Sequence, residues 1–62
     1  MTNESIKVMD ANILLSIINT KLRDQYDSLE ILCDDLKIAK DEIINKLRLI
    51  EYEYNREKNQ FK

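Results

Sequence analysis

The hydrophobic positions of the chain form helix-like repeats in its first four fifths and a strand-like alternation near its end. Within residues 11–25 the apolar side chains that recur with helical spacing are Leu14, Ile18 and Leu22. Asp10 stands directly before them and predicts an N-cap, because its carboxylate can accept hydrogen bonds from the free amides of the first turn. We therefore predict a first helix over about residues 11–25. Residues 1–9 show no sustained period and are expected to be loose.

Residues 28–50 read as two short amphipathic helices joined by a turn, with helices predicted over 28–36 and 40–50. Asp27, with Glu30 three residues later, has the form of a reciprocal N-cap for the second helix. Lys37 occupies a position where glycine usually ends a helix. The side chains predicted to share the interior are Leu32, Leu36, Ile38, Ile43, Leu47 and Ile50.

Residues 52–62 predict a β-hairpin, because Tyr52 and Tyr54 alternate with polar residues before a polar loop that leads to Phe61. Its aromatic face is expected to lie over Leu49 or Ile50, since an isolated hairpin is marginally stable. The predicted fold class is mostly α: a three-helix helix-turn-helix domain with a short C-terminal β-hairpin, winged-helix-like in order, with residues 1–62 forming one domain.

Composition excludes several kinds of site. The 62 residues include no His and a single Cys, so no His-based catalytic group, zinc finger or disulfide framework can form within one chain. Cys33 is interpreted as a small packing residue of the helix-turn-helix. Asp34 and Asp35 would point about 100° apart on a helix and do not make a general acid–base pair. We therefore expect a protein that is not an enzyme and uses no cofactor or metal.

The N-terminus has neither the basic start nor the apolar run of a signal peptide, and no segment reaches the roughly 18 apolar residues that span a bilayer. A lone thiol suits a reducing compartment. The sequence therefore predicts a cytoplasmic protein without membrane contact.

One hypothesis for function is a protein-interaction module whose partner is an unidentified protein or a second copy of the chain. Ile13, Leu15 and Ile17 widen the apolar stripe of the first helix, and Leu49 lies on the outer side of the last predicted helix. The alternative is that the other helices and the C-terminal segment cover the whole stripe, because small domains need every apolar contact.

The other hypothesis is a winged-helix-type DNA-binding regulator that reads bases with the last predicted helix. Its candidate contacts are Lys40, Asn45, Lys46, Arg48, Arg56 and Lys58. The net charge of −2 and the acidic Asp41 and Glu42 oppose strong binding to phosphate. If about three of these cations contact phosphate, the slope of log K against log salt is about −3, which leaves a monomer weak at physiological salt.

Two resemblances support these interpretations. The run LCDDLKIAKDEIINKLRLI is similar to the helix-turn-helix of bacterial repressors, with Lys37 where their glycine stands. The segments LLSIINTKLRD (14–24), SLEILCDDL (28–36) and YEYNREKNQF (52–61) resemble a family of bacterial proteins of about this length classed as a domain of unknown function. Glu51 stands where that resemblance implies a small residue or glycine. The resemblance implies no activity, ligand or site.

Overall fold

The computed structural model describes residues 1–62 and contains four α-helices followed by a two-stranded antiparallel sheet. In chain order the elements are α1 (Asn3–Val8), α2 (Ala11–Asp24), α3 (Leu29–Leu36), α4 (Lys40–Arg48), β1 (Tyr54–Asn55) and β2 (Gln60–Phe61). The mostly helical class and the C-terminal hairpin are confirmed. The predicted number of three helices is wrong, because the segment expected to be loose contains α1.

The short helix α1 forms because both its first turn and its apolar side chain are satisfied. Thr2 and Ser5 make a reciprocal cap, in which the Ser5 amide donates to Thr2 Oγ1 at 3.1 Å and the Thr2 amide donates to Ser5 Oγ at 2.9 Å. Ile6 is fully buried, and Asn3 Oδ1 accepts a hydrogen bond from the Ala39 amide at 3.0 Å. A helix of six residues is not stable alone, so packing against the rest of the chain holds it.

The predicted cap of α2 is confirmed, whereas that of α3 is not. Asp10 Oδ1 accepts from the amides of Asn12 at 2.8 Å and Ile13 at 3.3 Å. At α3 the capping residue is Ser28, which is extended and whose Oγ accepts from the Ile31 amide at 3.2 Å. Asp27 stands one residue too early to cap this helix, so the predicted cap was wrong.

Three turns use a left-handed backbone without any glycine. Lys37, at φ 59°, ends α3; Glu51, at φ 64°, follows α4; and Asn59, at φ 51°, lies in the hairpin loop. Lys37 and Glu51 are the two positions where the resemblances imply glycine or a small residue. The last predicted helix stops at Arg48 instead of residue 50, because the next amides bond to carbonyls three residues back before Glu51 reverses the chain.

The core contains eleven buried side chains, which are Ile6, Leu14, Ile18, Leu22, Leu29, Leu32, Cys33, Ile38, Ile43, Leu47 and Phe61. Leu36 and Ile50, predicted to be interior, are only partly buried. Phe61 pairs with Tyr54 across the hairpin, with ring centroids 5.5 Å apart. The hairpin packs on α2 through Phe61 and does not cover Leu49, which is 77% exposed.

Candidate interaction surface

The residues predicted to contact DNA do not form one free basic surface. Lys40 Nζ and Arg56 Nη2 both approach Glu30 Oε2, at 3.2 Å and 2.6 Å. Hydrogen bonds from the main-chain amide of Glu30, from Arg56 and from Lys40 lower the pKa of this carboxyl to about 2. Glu30 is therefore ionised at neutral pH, and its charge offsets one of the two cations that it brings together.

Helix α1 lies along one flank of α4 and binds a second group of candidate residues. Lys46 Nζ donates to the carbonyl oxygen of Lys7 at 2.9 Å, and Lys7 Nζ lies 3.7 Å from the carboxylate of Glu42. The contact of Asn3 with Ala39 is at the other end of the pair, so the two helices run in the same direction. One flank of the predicted DNA-reading helix is thus covered by the segment expected to be loose.

The remaining candidates lie in different places. Asn45 and Arg48 are exposed on α4, whereas Lys58 lines an open groove between α2 and the hairpin. The structure therefore brings Lys40 together with Arg56, engages Lys46 with α1, and leaves Arg48 without an ion pair.

The apolar residues predicted to bind a partner divide into covered and exposed positions. Leu15 packs against the core and Ile17 is half-buried, so the rest of the chain covers part of the wide stripe of α2. Ile13 is 56% exposed and Leu49 is 77% exposed. Val8, at the end of α1, is 86% exposed and was missed because residues 1–9 were interpreted as loose.

Val8 and Leu49 lie at the same end of the α1–α4 pair. A shallow groove of about 320 Å³ between the two helices is lined by Ile6, Lys7, Glu42, Asn45, Lys46 and Leu49. Val8 follows Lys7, and Arg48 precedes Leu49. We call the set of Lys7, Val8, Lys46, Arg48 and Leu49 the α1–α4 patch: two exposed aliphatic side chains with three cations. The spacing of Thr2 and Ser5 was the signal in the sequence that could have revealed this surface.

A polar groove of about 630 Å³ lies between α2 and the hairpin, and two of the side-chain amides that line it, those of Asn19 and Asn59, are bonded within the chain. Asn19 Nδ2 donates to the Phe61 carbonyl at 3.0 Å and Asn19 Oδ1 accepts from the Phe61 amide at 2.8 Å, as a neighbouring strand would. Asn59 Nδ2 donates to the carbonyls of Leu22 at 3.0 Å and Tyr26 at 2.8 Å, the second of them just beyond the end of α2.

Tyr54 extends this network to α3. Its hydroxyl donates to Asn59 Oδ1 and accepts from the Leu29 amide at 3.2 Å. Asn19, Tyr54, Asn59 and Phe61 lie in two of the segments that carry the resemblance to the domain of unknown function. In this structure they hold the hairpin against α2 and α3, which is a structural role.

Cys33 is buried, as predicted, and burial raises the pKa of its thiol. A raised pKa disfavours the nucleophilic thiolate, so the thiol acts as a small apolar side chain. No cluster of three or more acidic or Cys side chains could hold a metal ion. None of the helices combines the length and the apolar character needed to cross a membrane.

Comparison with known proteins gives one family. A family model described as "Domain of unknown function (DUF4250)" matches residues 8–61, which include all of α2, α3, α4 and the hairpin. Most of α1 precedes the matched region. No curated protein and no solved structure matches the chain.

Proposed function

We propose that this chain, which belongs to the DUF4250 family of domains of unknown function, is a small non-enzymatic module that binds a protein partner through the α1–α4 patch. The observation that carries the proposal is the exposure of Leu49, 77%, at the edge of the groove between α1 and α4. Leu49 belongs to the last turn that follows α4, where a polar residue would be equally compatible with the fold.

The composition of the patch supports a protein partner over a small molecule. Val8 and Leu49 are the two most exposed large apolar residues of the chain. Lys7 and Lys46 line the groove with Leu49, and Lys7 and Arg48 are the chain neighbours of Val8 and Leu49, so cations accompany both apolar side chains, as at the polar rim of protein interfaces. The groove is shallow and its volume of about 320 Å³ lies at the lower limit of small-molecule pockets.

A photo-reactive benzoylphenylalanine at position 49 tests this proposal in the cells that make the protein. Irradiation should give a discrete crosslinked species, whose mass identifies the partner as another protein or a second copy. The same group at Glu53, which is exposed on the hairpin, is the matched control. Equal or absent crosslinking at the two positions would overturn the proposal.

A second candidate function is a DNA-binding winged-helix-type regulator. The observation that favours it is the convergence of Lys40, at the start of α4, and Arg56, in the hairpin loop, within 3.2 Å and 2.6 Å of the same carboxylate. The hairpin loop and the start of α4 thus meet, as a wing and a reading helix would. Glu30 opposes the interaction because it offsets one of these charges.

Titration with a random-sequence duplex at about 50 mM and 200 mM salt separates this candidate from the first. Under the DNA hypothesis, affinity falls with a slope of about −3, Arg48→Ala costs about 1–3 kcal/mol at a specific site, and Glu30→Gln strengthens binding. Leu49→Gln should leave DNA affinity unchanged. The absence of amide shifts at low salt would refute DNA binding and leave the proposal for a protein partner untouched.

A further inference from the structure

We infer that the α1–α4 patch binds the outer face of α3 on a second copy of the chain. This inference rests on the proposed function and names its partner. The outer face of α3 consists of Ile31, Asp34 and Asp35, which follow one another at i, i+3 and i+4 and therefore lie on one side of the helix. Ile31 is 50% exposed, and both aspartates are exposed.

The two faces are complementary in charge. Neither Asp34 nor Asp35 forms an ion pair within the chain, and the same is true of Lys46 and Arg48 in the patch. By contrast, Glu30 on α3 already has two cations. Other charged side chains of the chain also lack ion pairs, but these two acidic and two basic groups accompany exposed aliphatic side chains.

Each face also centres on exposed aliphatic side chains. Ile31 stands one turn before its two aspartates, Leu49 shares a groove with Lys7 and Lys46, and Val8 directly follows Lys7. The carboxylate of Asp35 accepts a hydrogen bond from the Tyr26 hydroxyl at 2.6 Å, which fixes its position before any partner binds. An exposed aliphatic side chain flanked by carboxylates therefore matches one flanked by cations, and a second copy supplies both.

The contact joins two different surfaces, so it is heterologous. In a bound pair, one copy keeps its α1–α4 patch free and the other keeps its α3 face free. Repetition would give a ring or an open row of molecules. A stable interface buries about 800 Å² on each partner, which is about one fifth of the total accessible surface of 4211 Å². The faces defined here contain few residues against the roughly 20–30 on each side of a standard interface, so we expect weak association that forms at high protein concentration and decreases with salt.

Sedimentation velocity on the full chain, over a range of concentrations at about 50 mM and 300 mM salt, tests the inference. The patch variant is Arg48→Gln with Leu49→Gln, and the α3 variant is Ile31→Gln with Asp34→Asn. All four positions are exposed, so folding should be retained, and circular dichroism verifies it. Each variant alone should associate at least about tenfold more weakly than the wild type, because the substitutions remove both charge and apolar contact.

Mixing the two variants gives the decisive result. The intact patch of the α3 variant can bind the intact α3 face of the patch variant, so the mixture should form dimers and nothing larger. Glu53→Gln with Lys58→Gln, both exposed on the hairpin side, is the matched control and should associate like the wild type.

A wild type that stays monomeric at about 1 mM and low salt would overturn the inference, as would a mixture that stays monomeric. A crosslink from position 49 to a different protein would then still support the proposed function. If one of the paired substitutions unfolds the chain, Leu49→Gln and Ile31→Gln alone provide the same mixing test.

Discussion

Replacing Asn59 with alanine should remove about 2–4 kcal/mol from the free energy of unfolding. The Asn59 amide donates to the carbonyls of Leu22 at 3.0 Å and Tyr26 at 2.8 Å, and its oxygen accepts from the Tyr54 hydroxyl. Each hydrogen bond contributes a net of about 0.5–1.5 kcal/mol. Asn59 also has φ 51°, a conformation that costs alanine about 1 kcal/mol or more. Such terms are not fully additive, so the estimate lies below their maximal sum.

Urea unfolding followed by circular dichroism at about 25 °C measures this loss. Asn59→Gly is the matched control, because glycine accepts the left-handed backbone but makes none of the three hydrogen bonds. It should recover about 1 kcal/mol of the loss and no more. An Asn59→Ala variant within about 0.5 kcal/mol of the wild type would refute the reasoning. Full recovery in Asn59→Gly would show that only the backbone conformation matters.

Asn59→Asp adds a dependence on pH. The introduced carboxylate keeps the acceptor for Tyr54 but turns an oxygen toward the carbonyls of Leu22 and Tyr26, at the negative end of α2. Its pKa should therefore rise above the unfolded value of about 3.9. A carboxyl with a raised folded pKa destabilises as pH increases, so the deficit relative to wild type should be smallest below about pH 4 and grow above it.

Three further predictions concern α1, the turn after α3 and the Glu30 cluster. Ile6→Ala should cost about 2–4 kcal/mol in urea unfolding, limited by the free energy that docks α1, because Ile6 is fully buried; a loose terminus would give a change near zero. Lys37→Gly should increase the free energy of unfolding, because glycine relieves the left-handed φ of 59°. Each kcal/mol gained would raise Tm by about 4–8 °C, and an unchanged or lower Tm would contradict this. Glu30 has a pKa of about 2 instead of 4.5, so its contribution to stability is present above about pH 4.5 and is lost as pH falls toward 2. Carboxyl NMR titration should give the low pKa, Glu30→Gln should remove this part of the acid sensitivity, and a Glu30 pKa near 4.5 would contradict the contacts with Lys40 and Arg56.

The elements that could be predicted are those stabilised by neighbours in the sequence. The helical spacing of Leu14, Ile18 and Leu22 and the cap by Asp10 act over a few residues, and the structure has both. The hairpin was predicted for the same reason, from Tyr54 and a polar loop that ends in Asn59. The predicted helix boundaries near Ser28 and Arg48 differ from the observed ones by one or two residues, because two local signals competed at each of these positions.

The candidate site could not be predicted in the same way, because its residues acquire their roles from distant partners. Whether Leu15 is covered and Leu49 exposed depends on which elements pack over each of them. Lys46 donates to the carbonyl oxygen of Lys7, which is 39 positions away, and that contact holds its ammonium group beside α1. Val8 entered the patch only because α1 docks on α4.

The sequence by itself determined the helical periods, the absence of His-based chemistry and the positions where the chain turns, since these depend on composition and on contacts within one or two helical turns. Only the tertiary structure decided that α1 is ordered, that Asn19 pairs with Phe61 across 42 positions, and that Lys40 and Arg56 share one carboxylate. Ile6 is the buried side chain of α1, and it becomes buried only when α1 packs against the core beside α4. The free energy of such contacts depends on which surfaces meet, and a linear pattern does not contain that information.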